Sequence, residues 1–447
     1  MPRNKDILYI LKMALLPDQV AVLERFQQFM KSDSLHALLT GAAGTGKTFM
    51  VEYLLRASGI PASQIKIAAP TNKAVSVLSG KISDDYAIAT IHRLFKAENA
   101  YSQEGELGMR LQYDAGEWRE IRLLVIDESS MLSEAIFRWI LTNTRVKILF
   151  IGDNFQLPPV NEENSPAFTH HYTYNMALTT TKRTRDPKIG WMYDLFRGWQ
   201  LCSADMSRVL RGSPQADRVA TKDQFHAAIR NMIGQKSTYI LAYSNERVDY
   251  YNAMARKVLF PNSKSKWCAG DRGVFQELYD AGEFTNTRNQ PRYYTSDEFT
   301  VKQAGTVAVT VQPPMGCETV GPYHAQFHLL LIRDVAEEEL TVLYPDDGEF
   351  FDYMARVKTQ ITQLAKGASA TVATEYWKAY HAFRKHYICP IAYSYSFTVY
   401  KAQGSSFSQV LVDAANIVLC TSRTPKLMKK CMYTAVTRAQ DYILMLW

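Results

Sequence analysis

An α/β protein with two cores, each carrying an insertion, is what this 447-residue sequence predicts, on three observations. A glycine-rich loop, Gly41-Ala-Ala-Gly-Thr-Gly-Lys-Thr48, follows the apolar run His36-Ala-Leu-Leu-Thr40. It precedes a helical pattern of Met50, Tyr53, Leu54 and Ala57 that stops at Gly59. Three further short apolar runs alternate with amphipathic stretches, as in a parallel sheet wrapped by helices. The same alternation restarts near Arg183, breaks off near Gly270 and resumes at the C-terminal end.

The elements follow in order. Ile7-Leu-Tyr-Ile-Leu-Lys-Met-Ala-Leu-Leu16 is interrupted by Lys12, lacks a small-residue cleavage site and is too short to cross a bilayer, so a packed terminal element is expected. After the glycine loop, Ile65-Lys-Ile-Ala-Ala-Pro70, Arg122-Leu-Leu-Val-Ile-Asp127 and Val146-Lys-Ile-Leu-Phe-Ile-Gly152 read as buried strands. Between the first two of these, residues 96–120 break the pattern. The stretch from Tyr101 to Arg110 is polar and glycine-punctuated, which predicts a small inserted hairpin, with Leu111, Tyr113 and Trp118 either at its working edge or packed inward. In the second half, Ser237-Thr-Tyr-Ile-Leu-Ala-Tyr-Ser-Asn245, Ser408-Gln-Val-Leu-Val-Asp413 and Tyr442-Ile-Leu-Met-Leu-Trp447 read as strands of one core. The break between them is β-prone at Gly305–Val311, Phe327–Ile332 and Leu340–Tyr344. Met354, Val357, Ile361 and Leu364 then recur at helical spacing, and Trp377, Tyr380 and Arg384 predict another helix.

Composition bounds the partners without choosing one. A formal charge of +7, from 51 basic and 44 acidic residues, is a mild excess that permits a polyanion and does not require it. Six scattered cysteines with no C-x-x-C pair argue against a disulfide framework or zinc site and fit a reducing cytosol.

The chemistry begins at the glycine loop, which is the phosphate-binding pattern G-x-x-x-x-G-K-[ST] in the strand–loop–helix context that pattern requires. Gly41, Ala42, Ala43, Gly44, Thr45 and Gly46 would turn backbone N–H groups toward phosphates. Lys47 would reach the β- and γ-phosphates, and the Thr48 hydroxyl would ligate Mg²⁺. A nucleoside triphosphate and Mg²⁺ are the expected cofactors. At the end of the 122–127 strand, Asp127 is the metal-side carboxylate and Glu128 the candidate general base. Phe150-Ile-Gly-Asp153-Asn-Phe-Gln156-Leu-Pro-Pro159 delivers Gln156, which can bond a phosphate oxygen or a water near the γ position.

Taken together, G-A-A-G-T-G-K-T, A-A-P-T-N-K-A, D-E-S-S and G-D-N-F-Q-L-P-P resemble the motifs of superfamily 1 helicases. The likeness is greatest to the RecD-like, 5′→3′ branch (superfamily 1B), its bacteriophage members included. Phe397-Thr-Val-Tyr-Lys-Ala-Gln-Gly404 is similar to the branch's T-x-H-K-x-Q-G segment, and Tyr433-Thr-Ala-Val-Thr-Arg438-Ala to its Y-V-A-x-T-R-A segment. Tyr400 departs from the histidine usual at its position and keeps an aromatic ring.

The resemblance implies two RecA-like cores, 1–95 with 121–180 and 181–272 with 386–447. It places a strand-separating pin at 96–120 and an SH3-like accessory domain with a helical extension at 273–385. Gln19 would read adenine, Arg183 and Arg438 would act as arginine fingers, with Arg185 an alternative to the first, and Gln403 and Gly404 would sense phosphate. Pro70, Thr71, Asn72, Lys73, Thr90, His92, Tyr243, Asn245, Thr398 and Tyr400 would line the strand channel, with Asn252, Arg384 and Lys385 as weaker candidates. An ATP-dependent DNA helicase moving 5′→3′ on single-stranded DNA is thus expected, acting on forked duplex, as a monomer and away from membranes. A single-strand-binding or replication protein is a further candidate partner, and the cytosol, a host cell's for a phage protein, the expected location. The alternatives are a P-loop kinase or transferase, and an ATP-switched DNA-binding module or translocase that does not unwind.

Overall fold

The computed structural model describes residues 15–101, 107–180, 187–198, 208–213, 216–235, 237–280, 292–345 and 348–447. Residues 7–14 of the expected terminal element, Arg183 and Arg185 lie outside them. The described residues of 15–95, 113–258 and 396–447 form one compact unit, and those of 96–112 and 259–395 a second.

The first unit opens with the helix Pro17–Lys31 and strand β1 (His36–Gly41), followed by the helix Lys47–Ala57. β2 (Ile65–Ala69) leads to the helix Asn72–Ser79 and β3 (Ala87–Thr90); β4 (Glu98–Tyr101) and β5 (Leu107–Arg110) then pair as an antiparallel hairpin. β6 (Leu123–Ile126), β7 (Lys147–Gly152) and β8 (Tyr174–Leu178) complete an all-parallel sheet of order β3-β2-β6-β7-β1-β8. β6 is buried at every residue and β7 at all but its first, which is why both read as unbroken apolar runs. Met50, Val51, Leu54 and Leu55 of the helix after β1 pack with Phe26, Phe29, Ile67 and Val125 in one core cluster.

The chain lays down β9 (Val219–Ala220) and β10 (Thr238–Ala242) and then leaves this unit. In the second unit, β11 (Arg272–Phe275), β12 (Tyr279–Asp280), β13 (Arg292–Tyr293), β14 (Glu298–Val311), β15 (Tyr323–Asp334), β16 (Glu339–Pro345) and β17 (Ile391–Tyr393) follow. Its main sheet is antiparallel, in the order β16-β15-β14-β11-β17. The unit runs from 259 to 395, wider than the expected 273–385, because β11 and β17 pair at the two ends of the insertion. The helices Glu349–Lys366 and Ala370–Tyr387 lie between β16 and β17, and Phe350, Val357, Ile361 and Trp377 form a core with Val311 and Phe327. The β4–β5 hairpin groups with this unit, β4 lying against the helix Ala370–Tyr387.

β18 (Ser396–Thr398), β19 (Phe407–Asp413) and β20 (Ala439–Leu446) return to the first unit and make a second parallel sheet, β18-β10-β19-β20-β9. Both parallel cores are RecA-like. Residues 113–118 belong to this unit and not to the hairpin: Trp118 is buried, its ring stacked on Phe95 at 5.1 Å, with Tyr113 at 5.6 Å. Trp118 therefore packs inward.

Candidate nucleotide cleft and nucleic-acid surface

The phosphate loop is held open by backbone geometry. Gly44 and Gly46 have φ of +84° and +86°, a region that side chains rarely enter. A Cβ on Gly41 would lie 2.5 Å from Thr45 Oγ1. Lys47 Nζ donates to the carbonyls of Gly41 (2.7 Å) and Ala42 (3.1 Å), so the cation already lies across the loop. Gln19 is buried at the start of its helix, its Oε1 accepting the Leu16 N–H (3.0 Å). A Cβ on Gly46 would lie 3.5 Å from its Nε2, which sets the amide of Gln19 against the loop.

The acidic pair closes the end of β6. Asp127 is buried, and its Oδ1 accepts the Glu128 N–H (2.8 Å). Burial first, and then the Glu128 charge, push the Asp127 carboxyl above the usual carboxylate range, while Lys47 pulls it down. A carboxylate this desolvated suits a cation. Glu128 sits at φ +50°, a left-handed conformation that costs a non-glycine residue energy and recurs at functional sites. Glu128 Oε2 and Gln156 Oε1 are buried with no hydrogen-bond partner among the described residues. Such orphaned acceptors fit a site completed by a ligand, water or metal-bound water. Gly152 lets the acidic turn approach β7, since a Cβ there would come within 2.9 Å of Ser129 Oγ.

The second core reaches into this site. Tyr433, in the helix Pro425–Val436, donates its O–H to Asp153 Oδ2 (2.9 Å) and accepts the Ala43 N–H (2.8 Å). Thr434 Oγ1 accepts the Leu157 N–H (3.0 Å), and Gln403 Nε2 donates to the Leu157 carbonyl (2.9 Å). Gly404 takes φ +72°, and a Cβ on it would lie 3.2 Å from Thr71 Oγ1, so it abuts the first core. Arg438 is buried and donates to the Ser405 carbonyl (2.8 Å), the Thr434 carbonyl (3.1 Å) and Thr437 Oγ1 (3.1 Å). Its guanidinium is held by its own core in this structure.

The nucleic-acid candidates divide into two groups. Pro70, Thr71 and Asn72 are half-exposed at the end of β2, with Thr71 capping the helix Asn72–Ser79 through the Ala74 N–H. Tyr243 and Tyr400 are brought together from distant sequence, their rings 6.3 Å apart and edge-on, and Asn245 is exposed beside Tyr243. A paired, partly open aromatic platform is suited to stacking on bases. Other candidates are occupied locally. The Lys73 ammonium lies over the rings of Phe407 (4.7 Å) and Tyr239 (5.6 Å) of the second core. Thr90 and Thr398 spend their hydroxyls on the Arg93 and Lys401 N–H groups. His92 is half-buried, which lowers its pKa. Asn252 is buried, and its Oδ1 accepts the Ser396 N–H (2.9 Å). Arg384 pairs with Glu277 (2.5 Å) and buried Lys385 donates to the Leu278 carbonyl (2.9 Å), so both anchor the second unit's own helix. Tyr433, Thr434 and Asp153 were not singled out from sequence. The Y-T-A-V-T-R segment contained the first two, but a hydroxyl's partner 280 residues away is invisible in a chain read end to end.

Comparison with known proteins agrees with this geometry. Residues 14–198 match an AAA domain family, and residues 393–446 the UvrD-like helicase C-terminal domain family. The ATP-dependent DNA helicase dda of Enterobacteria phage T4 is 26% identical over 434 residues, spanning 92% of this chain and 94% of its own. An uncharacterised protein of Acanthamoeba polyphaga mimivirus is 23% identical over 470 residues, spanning 90% and 93%. Among solved structures, Pif1 helicases studied at forked dsDNA superpose with a TM-score of 0.52 at 15% identity, covering 96% of this chain and 91% of theirs. Bacteroides Pif1 bound to ssDNA superposes at 0.50 and 15%, covering 94% and 91%.

Proposed function

We propose that this chain, which resembles the superfamily 1B, RecD-like helicases from its first motif to its last, is an ATP-dependent DNA helicase that moves 5′→3′ on single-stranded DNA and separates the duplex ahead of it. The observation that carries the reading is the phosphate loop with second-core side chains hydrogen-bonded into it and into the turn after β7. A P-loop kinase does not need a second parallel core tied to its phosphate loop, whereas a motor does, since only then does the nucleotide control closure between cores.

The loop amides of 41–46 and Lys47 bind the triphosphate, and Gln19 meets the adenine. Thr48 and Asp127 hold Mg²⁺, which when bound supplies charge neutralisation at the phosphates. Glu128 takes the proton of the attacking water, Gln156 orients that water, and Arg438 with Arg183 stabilises the charge on the departing phosphoryl group. Gln403 and Gly404 carry the phosphate state to the second core. Pro70, Thr71 and Asn72 grip the sugar-phosphate of one core, and Tyr243 and Tyr400 a base on the other. The β4–β5 hairpin is the strand-separating pin. The substrate is a forked duplex with a single-stranded tail; a single-strand-binding or replication protein is the proposed partner, and the working form is a monomer. The cytosol, a host's for a phage protein, is the proposed location, in keeping with free thiols at Cys268, Cys317, Cys389, Cys420 and Cys431. No helix among the described residues is long and apolar enough to cross a membrane.

Two measurements test this. A duplex with a 5′ single-stranded tail is expected to be unwound under single-turnover conditions with a trap strand, and one with only a 3′ tail is not. Equal unwinding of both would remove the polarity, and unwinding of neither would leave the ATP-switched binding module. Glu128→Gln is expected to bind ATP as wild type does and to cleave it about 10²- to 10⁴-fold more slowly, since the amide keeps the shape and cannot take a proton. Wild-type single-turnover cleavage by this variant would strip Glu128 of the base role.

A further inference from the structure

The turn Asp153–Leu157 is tied to the second core by four side chains, and one of them differs in kind from the other three. Lys430 Nζ donates to the Asn154 carbonyl (2.9 Å). Thr434 and Gln403 hold the backbone of Leu157. Tyr433 instead holds a side chain, the Asp153 carboxylate. That carboxylate is fully buried, and each of its oxygens has a task. Oδ1 accepts the Phe155 N–H (3.0 Å) and shapes the turn. Oδ2 accepts both the Tyr433 O–H (2.9 Å) and Gln156 Nε2 (3.4 Å). The amide nitrogen of Gln156 is thereby tethered, and Oε1 is left as its buried, unpartnered acceptor.

We propose that Tyr433 is the positioning residue through which the second core orients Gln156 for hydrolysis, acting by way of Asp153. The inference rests on the ATP-hydrolysing reading above and adds to it the residue that connects closure between cores to the chemistry. The phenol suits this task because one oxygen serves both sides. Its proton goes to Asp153, and its lone pair accepts the N–H of Ala43, a phosphate-loop amide of the kind that phosphate oxygens accept from. A phosphate oxygen competes for that amide and leaves the bond to Asp153 in place. Occupancy of the loop, the position of the second core and the rotamer of Gln156 then share one hydroxyl. The ring is fully buried, with Phe155 5.9 Å away, so the hydroxyl has little freedom to find another partner.

The test is steady-state ATPase of the full chain with and without single-stranded DNA. Tyr433→Phe keeps the ring and removes both bonds, and DNA-stimulated kcat is expected to fall about 10²-fold, the scale of misplacing a reacting group. KM for ATP should stay near wild type, and the melting temperature should fall modestly, since the buried Ala43 N–H and Asp153 carboxylate each lose a partner. Gln156→Ala should lose as much, and the double variant no more than Gln156→Ala alone, because both act on one step. Asp153→Asn with Gln156→Ala reads the same chain should Tyr433→Phe fold poorly, and the same absence of further loss is expected. Multiplicative losses, or a change confined to KM, would overturn the proposal. Wild type measured in parallel separates the two levels. An active wild type with multiplicative losses rejects Tyr433 alone, and a wild type inert with DNA rejects the hydrolytic reading and this inference together.

Discussion

Lys47→Ala is expected to lower ATP hydrolysis by about 10³-fold or more and to abolish unwinding, while the protein stays folded and keeps its affinity for single-stranded DNA. The size of the effect comes from removing the one side-chain cation of the phosphate loop, where a preorganised charge meets the charge that develops in the transition state. The expected sparing of the fold comes from where Lys47 sits. It begins the helix Lys47–Ala57, is half-exposed, and among the described residues bonds the Gly41 and Ala42 carbonyls. Alanine favours the helix, and the lost hydrogen bonds cost about 1–3 kcal/mol each at most. ATPase, fluorescence anisotropy with a labelled single strand, and a thermal melt measure the three expectations separately. Near-normal unwinding by this variant would end the motor interpretation.

Arg438→Ala is expected to lose DNA-stimulated hydrolysis by about 10³-fold, the scale of an arginine finger, with a smaller fall in ATP affinity because the charge matters most as the phosphoryl group departs. The structure adds a second expectation. Arg438 is buried and donates to the Ser405 carbonyl, so truncation also removes that buried acceptor's donor, while the Thr434 carbonyl keeps the Thr437 hydroxyl (3.0 Å). A destabilisation of about 1–3 kcal/mol is expected alongside the kinetic loss. Arg438→Lys separates the two, since a lysine keeps a charge but not the fork of donors, and it should recover more stability than rate. Hydrolysis within about 10-fold of wild type in Arg438→Ala, measured below its melting temperature, would leave the arginine a purely structural role. The same assay on Arg183→Ala and Arg185→Ala decides which of those two is the partner finger.

Those parts of the fold that could be read from the chain are the ones whose signal is local. β1, β2, β6, β7, β10, β19 and β20 all announced themselves as short apolar runs, and the phosphate loop as a fixed spacing of glycines, lysine and threonine. β3, β8, β9 and β18 did not. β3 and β8 are edge strands of their sheet with alternating or partial burial, and β9 and β18 are two and three residues long, too short for any period to show. The limits of the insertion were illegible for a related reason: β11 and β17 belong together only because they pair across more than a hundred residues.

The candidate site divides along the same line. Lys47, Thr48, Asp127, Glu128 and Gln156 could be proposed from sequence because each lies in a motif that follows an apolar strand run: Lys47 and Thr48 begin the helix after the loop that leaves β1, Asp127 and Glu128 follow β6, and Gln156 lies in the turn after β7. What their side chains touch was decided in three dimensions. Lys73 resides on second-core aromatic rings, Asn252 and Lys385 serve the packing of their own elements, and Trp118 completes a core where a wedge was an open alternative. Tyr433 joins the phosphate loop to Asp153 across the two cores, a partnership no spacing encodes. Periodicity and motif spacing report forces between neighbours in the chain; a hydrogen bond between residues far apart in it exists only once the sheets have packed, so its chemistry belongs to the tertiary structure alone.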